Sequence, residues 1–173
     1  MNEIIENMIT RRSIRGFKPA MPPQELIDEI IKAGTYAPTG HGSQSPVIVC
    51  VTRKDVRDRL SAFNAKILGT DIDPFYGGPV VLVVLADRSM PTHVYDGSLV
   101  MGNMLNAAHA VGLGGIWIHR AKEEFDSPEG KALLKEWGIE GDYEGIGHCV
   151  VGYPLHSAPK PAPRKPGYVH YVK

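Results

Sequence analysis

The chain has 173 residues, with 19 lysines and arginines balanced by 19 aspartates and glutamates, so its formal net charge is zero. That length suits one domain with a sizeable core and is short for two. A balanced chain has no overall field favouring nucleic acid or anionic lipid, so any anion has to be bound locally. No apolar run approaches the roughly 20 residues of a membrane span. The opening MNEIIENMI has neither the basic start nor the apolar core of a signal peptide, and a cytoplasmic protein is expected. Cys50 and Cys149 stand in the apolar runs VIVCV and GHCVVG, without the close pairing of a zinc site or redox dithiol, and are expected to be buried structural thiols.

In chain order, Ile4, Ile5, Met8 and Ile9 recur at helical spacing and predict an amphipathic helix over residues 2–12. RRSIR (11–15) follows at its end. Pro22 and Pro23 suit the first turn of a second helix whose inward face is Leu26, Ile27, Ile30, Ile31 and Gly34. VIVCV (47–51) and VVLVVLA (80–86) are continuous β-branched runs, predicting two central strands covered on both faces. A helix over 54–66 and an irregular DIDPFYGGP segment separate them. Residues 94–111 are apolar almost all round, which predicts a helix buried in a core or an interface. GGIWIH reads as a third strand, SPEGKALLKEWG as a capped surface helix and GIGHCVVGY as a fourth strand.

The end of the chain changes character. HSAPKPAPRKP (156–166) carries Pro159, Pro161, Pro163 and Pro166 and can be neither helix nor central strand. GYVHYVK follows, rich in strand formers with no hairpin partner nearby, and is expected to pair with a distant sheet edge, such as that of a second subunit. The reading is one domain over 1–173, with 156–173 an extended arm.

Three segments carry candidate chemistry. RRSIR concentrates three guanidinium forks and a hydroxyl, a donor set that matches phosphate oxygens. At about 4 Å and an effective dielectric near 20, each unit charge pair is worth roughly 4 kcal/mol before desolvation. APTGHGSQSP (37–46) is a loop dense in donors: Thr39, His41, Ser43 and Gln44. GLGG (112–115) is no dinucleotide fingerprint, because it runs from helix to strand and Trp117 stands where the third glycine belongs. The seven histidines make no cluster at metal-ligand spacing, so no metal is expected. No G-x-S-x-G elbow is present.

Together, and in this order, these segments resemble the FMN-dependent nitroreductases in their compact form. The likeness runs through RRSIR, the stretch from Pro22 to Gln44, FYGGPVVLVV, the stretch from Asp96 to Ile118, and V-G-Y-P with Arg164. The resemblance implies an α+β fold, a mixed central sheet flanked by helices, in a homodimer with FMN at the subunit interface and the C-terminal strand swapped onto the partner. It puts Arg11 on the flavin phosphate, Arg12 and Ser13 on the phosphate and pyrimidine edge, and Arg15 near the ribityl chain and N1. Arg164 would reach the phosphate from the arm. Pro38, Thr39 and Gln44 of the partner would border the ring, and Trp117, Ile118 and His119 would run past N5 and O4. His41, Phe75, Tyr76 and Arg120 would line the substrate pocket, Phe75 and Tyr76 as a stacking wall.

The resemblance further implies an oxidoreductase working by ping-pong hydride transfer, with NADH or NADPH as donor and a small flat acceptor such as a nitroaromatic or quinone. The flavin does the chemistry, so no catalytic side chain is expected. Alternatives are a specialised member (a dehalogenase, an enone or peptide oxidase, a flavin-fragmenting enzyme), a non-enzymatic flavin-binding protein, or a plain anion-binding domain. The chain departs from the family pattern at Gly42, where relatives often carry Asn, at Ser45 and Pro46, where they have Pro-Trp, and at His119 and Arg120, where they carry smaller residues.

Overall fold

A computed structural model describes residues 1–173. The elements are α1 (Glu3–Thr10), α2 (Gln24–Thr35), β1 (Pro46–Val51), α3 (Lys54–Leu68), β2 (Val80–Asp87), α4 (His93–Ala110), β3 (Gly114–Ile118), α5 (Ala121–Asp126), α6 (Pro128–Glu136) and β4 (Tyr143–Gly152). The four strands form one sheet in the order β1-β2-β4-β3, all pairs antiparallel. The parallel component is a single bridge between Ser13 and Gly115 at the β3 edge.

β2 is the centre of the molecule because both its faces are apolar. Val81, Val83 and Leu85 pack on one side with Leu60, Phe63, Phe125 and Leu133 from α3, α5 and α6. Leu82 and Val84 pack on the other with Ile27, Ile30, Met101 and Met104 from α2 and α4. The result is a three-layer α+β fold. Gly34 brings α2 close to α4, since a Cβ there would press on the Met104 side chain. α6 starts as expected, with Ser127 Oγ accepting from the Gly130 amide at 3.0 Å.

Several sequence expectations change. α1, capped by Asn2, stops at Thr10 rather than reaching residue 12. No residue of α1 is buried, so nothing rewards a longer helix, whereas Ile14 gains burial by running extended beside β3 and donating to the Gly115 carbonyl at 3.2 Å. Pro23 takes the N-cap position of α2 instead of its first turn. β1 is an edge strand, only half-buried, so its apolar run did not mean a central position. Cys50 on that edge is therefore exposed, while Cys149 on β4 is buried, its thiol pushed up to about 12 by burial. α5 was not anticipated.

α4 buries one face only. Val94, Tyr95 and Leu99 stay exposed, as do Ile4, Ile5, Met8 and Ile9 on α1. YVHYV forms no strand within this chain, and no backbone hydrogen bond ties any residue beyond Leu155 to the body. Tyr171 and Val172 are 82% and 100% exposed, an apolar end with nothing of its own to cover it. No helix is long and apolar enough to cross a membrane.

Candidate functional site

RRSIR leaves α1 as an extended segment lying along the start of β3. Arg12, Ile14, His109 and the run Gly112 to Gly115 line a cavity of about 300 Å³, closed on one side by Pro154, His156 and Ser157 at the start of the arm. A neighbouring cavity of about 260 Å³ is lined by Ser13, Arg15, Gly16, His156 and Ser157. Arg12 Nη1 donates to the carbonyls of Ile9 and Arg11, both at 2.7 Å, so part of this guanidinium caps the end of α1. Its Nε and the Nη1 of Arg11 are buried with no hydrogen-bond partner in the protein. Buried charged donors left unmet are costly, and an anion in the cavity that Arg12 lines would bring negative charge to both guanidinium groups. Ser13 and Arg15 make no side-chain hydrogen bond within the chain and remain available at the second cavity.

The loop over 37–46 is built on Asp96, which is only 2% exposed. Its carboxylate accepts from the Gly40 amide at 2.9 Å, Ser45 Oγ at 2.8 Å and Thr92 Oγ1 at 3.1 Å. Burial acts to raise its pKa, and these hydrogen bonds outweigh that and hold it below the usual carboxylate range. Thr39 Oγ1 accepts from the Gln44 amide at 3.0 Å. Thr39 and Gln44 border a cavity of about 220 Å³ against Ile31, Pro46 and Ile48, and Pro38 is exposed beside it.

At the far end of β3, Trp117 is half-buried over Gly147, where no larger residue would leave room for the indole. Ile118 is a core residue, so only its backbone can face a ligand. His119 is exposed, its carbonyl accepting from Asn64 Nδ2 at 2.9 Å, and Arg120 Nε donates to Asn64 Oδ1 at 2.9 Å. Asn64 in turn meets Glu124, which pairs with His148 deep in the core.

Phe75 corrects the expectation of a stacking wall. Asp73 gathers Ser61 Oγ, Arg57 Nη2 and the amides of Phe75 and Gly77, and this knot turns Phe75 inward. Phe75 is fully buried, its ring 5.2 Å from that of His148, and it offers no face to a ligand. Tyr76 points outward instead. Within one chain Arg164 is exposed, donates to the Ala162 carbonyl and lines neither arginine cavity.

Four non-glycine residues have positive φ: His41, Gln44, Tyr76 and Arg120. All four were singled out from the sequence as site residues. Such conformations cost of order 1–3 kcal/mol each and collect at functional sites. Sequence reading missed Asp96 as the organiser of the 37–46 loop, the polar chain from Asn64 to His148, and His109. His109 carried one signal, as a basic residue in the last turn of an otherwise apolar helix.

The structure does not bring the two donor-rich segments together. Asp96 anchors the 37–46 loop at the start of α4, and Thr10 and Asn7 anchor the arginine segment at its end through His109 and Asn106. α4 has 18 residues, which at 1.5 Å per residue separates its ends by about 27 Å.

The nitroreductase family profile matches residues 8–153. The chain is 29% identical over 124 residues to a protein of Methanothermobacter thermautotrophicus whose name pairs NADH dehydrogenase with NAD(P)H nitroreductase, covering 66% of this chain and 60% of that one. It therefore spans less than two thirds of that relative's length. It is 29% identical over 187 aligned positions to an NADPH-flavin oxidoreductase of Vibrio harveyi, covering 98% of this chain and 72% of that protein. Among solved structures, the fold is shared with an FMN-bound nitroreductase of Bacteroides fragilis, at a TM-score of 0.88 and 23% identity over 100% of both chains.

Proposed function

The chain belongs to the nitroreductase family, and from that premise we propose that it is an FMN-dependent oxidoreductase that moves reducing equivalents from NADH or NADPH to a small flat acceptor such as a quinone or nitroaromatic. The observation that carries the reading is the buried, unpartnered guanidinium nitrogen of Arg12 in a cavity floored by Gly112 to Gly115, with a second such nitrogen on the adjoining Arg11. These residues fit a phosphate monoester: they supply charge-assisted donors, and the glycines carry no side chain to exclude it. Bound FMN would supply the hydride-accepting and hydride-donating ring, which no side chain of this protein provides.

The protein's own residues then bind and position. Arg11 and Arg12 hold the phosphate end, Ser13 and Arg15 the neighbouring sugar alcohol and pyrimidine edge, and Arg15 places a cation where negative charge collects on reduction. The 37–46 loop, with Pro38, Thr39, His41 and Gln44, is too far along α4 to complete this site in the same chain. It completes the site of a second copy packed on the exposed faces of α1 and α4, so the working unit is a homodimer. The arm over 156–173 then lays YVHYV along the partner and carries Arg164 to the phosphate there. His119, Tyr76 and Arg120 stand at the acceptor's side. Arg120 has no hydrogen bond to its Nη groups, which leaves them for a polar or acidic acceptor.

The test is to purify the protein and mix it without oxygen, first with NADH or NADPH and then with a quinone. The reading predicts a yellow protein bleached by one nicotinamide and recoloured by the quinone. A colourless protein with no affinity for FMN would end it, and a yellow protein that neither nicotinamide bleaches would leave a flavin-binding protein without this activity.

A further inference from the structure

His109 lies on the wall of the arginine cavity, half-buried in the last turn of α4. Its ring is held by one hydrogen bond, with Nε2 2.9 Å from Thr10 Oγ1. The Thr10 hydroxyl has a single hydrogen, and of its two carbonyl acceptors Glu6 at 2.7 Å is much nearer than Asn7 at 3.4 Å. Assigning the hydrogen to Glu6 makes Thr10 an acceptor toward His109 and puts the neutral ring's proton on Nε2. Nδ1 is then the basic nitrogen, and it makes no hydrogen bond within the chain.

The surrounding charges are one-sided. Arg11 and Arg12 approach from the segment after α1, and His156 faces across the cavity from the arm. The carboxylates of α1, Glu3 and Glu6, sit in its first turns and do not line the cavity, nor does any other acid. Burial first, and then the charges of Arg11 and Arg12, push His109 below the ordinary histidine value. A phosphate dianion in the same cavity reverses the sign of the local field, and the C-terminal end of α4 also favours positive charge there.

We propose that His109 is the proton-coupled member of this phosphate cavity: a neutral Nε2-protonated imidazole while the cavity is empty, and an imidazolium, protonated at Nδ1 by a proton from solvent, when a phosphate dianion is held. The inference rests on the flavin reading above and adds to it a group that titrates on binding. Because the group is more basic in the complex, its contribution to affinity is full at low pH and is lost as pH rises through its bound-state value.

The experiment is calorimetric titration of the flavin-free protein and of His109→Gln with FMN, in two buffers of different ionisation enthalpy across the neutral range, with riboflavin as the phosphate-free control. The FMN phosphate itself loses a proton near pH 6, a contribution common to both proteins that cancels in their difference. Wild type is expected to take up more protons per FMN than His109→Gln, and to bind FMN about tenfold more tightly than the variant at the acid end, with the gap closing at the alkaline end. Riboflavin should show no such difference. As a second measurement, the His109 ring proton resonance in wild type, identified by its loss in the variant, should titrate at higher pH with FMN than without.

If both proteins bind FMN with the same proton count and pH profile, or if the resonance does not move, the proposal is overturned and the flavin reading stands. If neither protein binds FMN, both are overturned.

Discussion

His148 Nε2 and Glu124 Oε2 meet at 2.7 Å, and both side chains are fully buried. From Glu124 the polar contacts run on through Asn64 Nδ2 to the His119 carbonyl, and Asn64 Oδ1 takes Arg120 Nε. A core pair is thus wired to the turn that holds Arg120 at a φ of 76°. Removing one partner strands the other's buried polar atoms, which costs about 3 kcal/mol. Glu124→Ala should lose about that much stability in urea unfolding, while Glu124→Gln, which keeps the volume and a hydrogen bond, should lose about 1 kcal/mol.

Acid stability should depend on Glu144. Burial works to raise its pKa, but hydrogen bonds from Lys122, His93 and Arg88 outweigh it and bring the carboxyl down to about 2. A group depressed on folding stabilises fully above its unfolded value, about 4.3, and that contribution is lost as pH falls through about 2. Stability of the wild-type protein should therefore fall more steeply across that window than stability of Glu144→Gln. Equal slopes in denaturant titrations at several acid pH values would remove Glu144 from the account.

Arg11 should matter more for the cofactor than for the fold. One lost charge-assisted contact costs about 1.5–3 kcal/mol, and about 1.4 kcal/mol is a factor of ten in affinity. Arg11→Ala should weaken FMN binding at least tenfold in a fluorescence titration while the thermal midpoint moves little, because its Nη1 makes no bond within the chain. Unchanged FMN affinity would show that the anion sits elsewhere.

Much of the fold was legible because apolar periodicity reports local burial. The helix over 54–66, the β2 run and the Ser127 cap appear nearly where expected. Position within the sheet was not legible: VIVCV and VVLVVLA look alike, yet one is an edge strand and the other is covered on both faces. Composition cannot say whether the second face of β1 is covered by this chain or by another. Phe75 was misplaced for a related reason, since the Asp73 knot that turns it inward depends on Arg57 and Ser61 from α3. RRSIR and the 37–46 loop were legible as donor-rich segments, but their separation along α4 needed the fold. His109 required the Thr10 contact and the neighbouring arginines before its chemistry could be read.

The central claim is that the flavin site is shared between two copies, with the arm as the tie. A chain ending at Leu155 keeps the bridge from Phe17 to Pro154 and the bond from the Leu155 amide to the Gly16 carbonyl, so its body should fold. It loses Arg164, the strand-forming YVHYV, and the His156 and Ser157 wall of the cavity. The direct measurement is sedimentation velocity of the full chain and of this truncation, each incubated with FMN and followed at both protein and flavin absorbance. The account predicts that the full chain sediments as a yellow dimer with one flavin per chain, and that the truncated chain, folded by circular dichroism, sediments as a colourless monomer. A truncated chain that still sediments as a yellow dimer would contradict it.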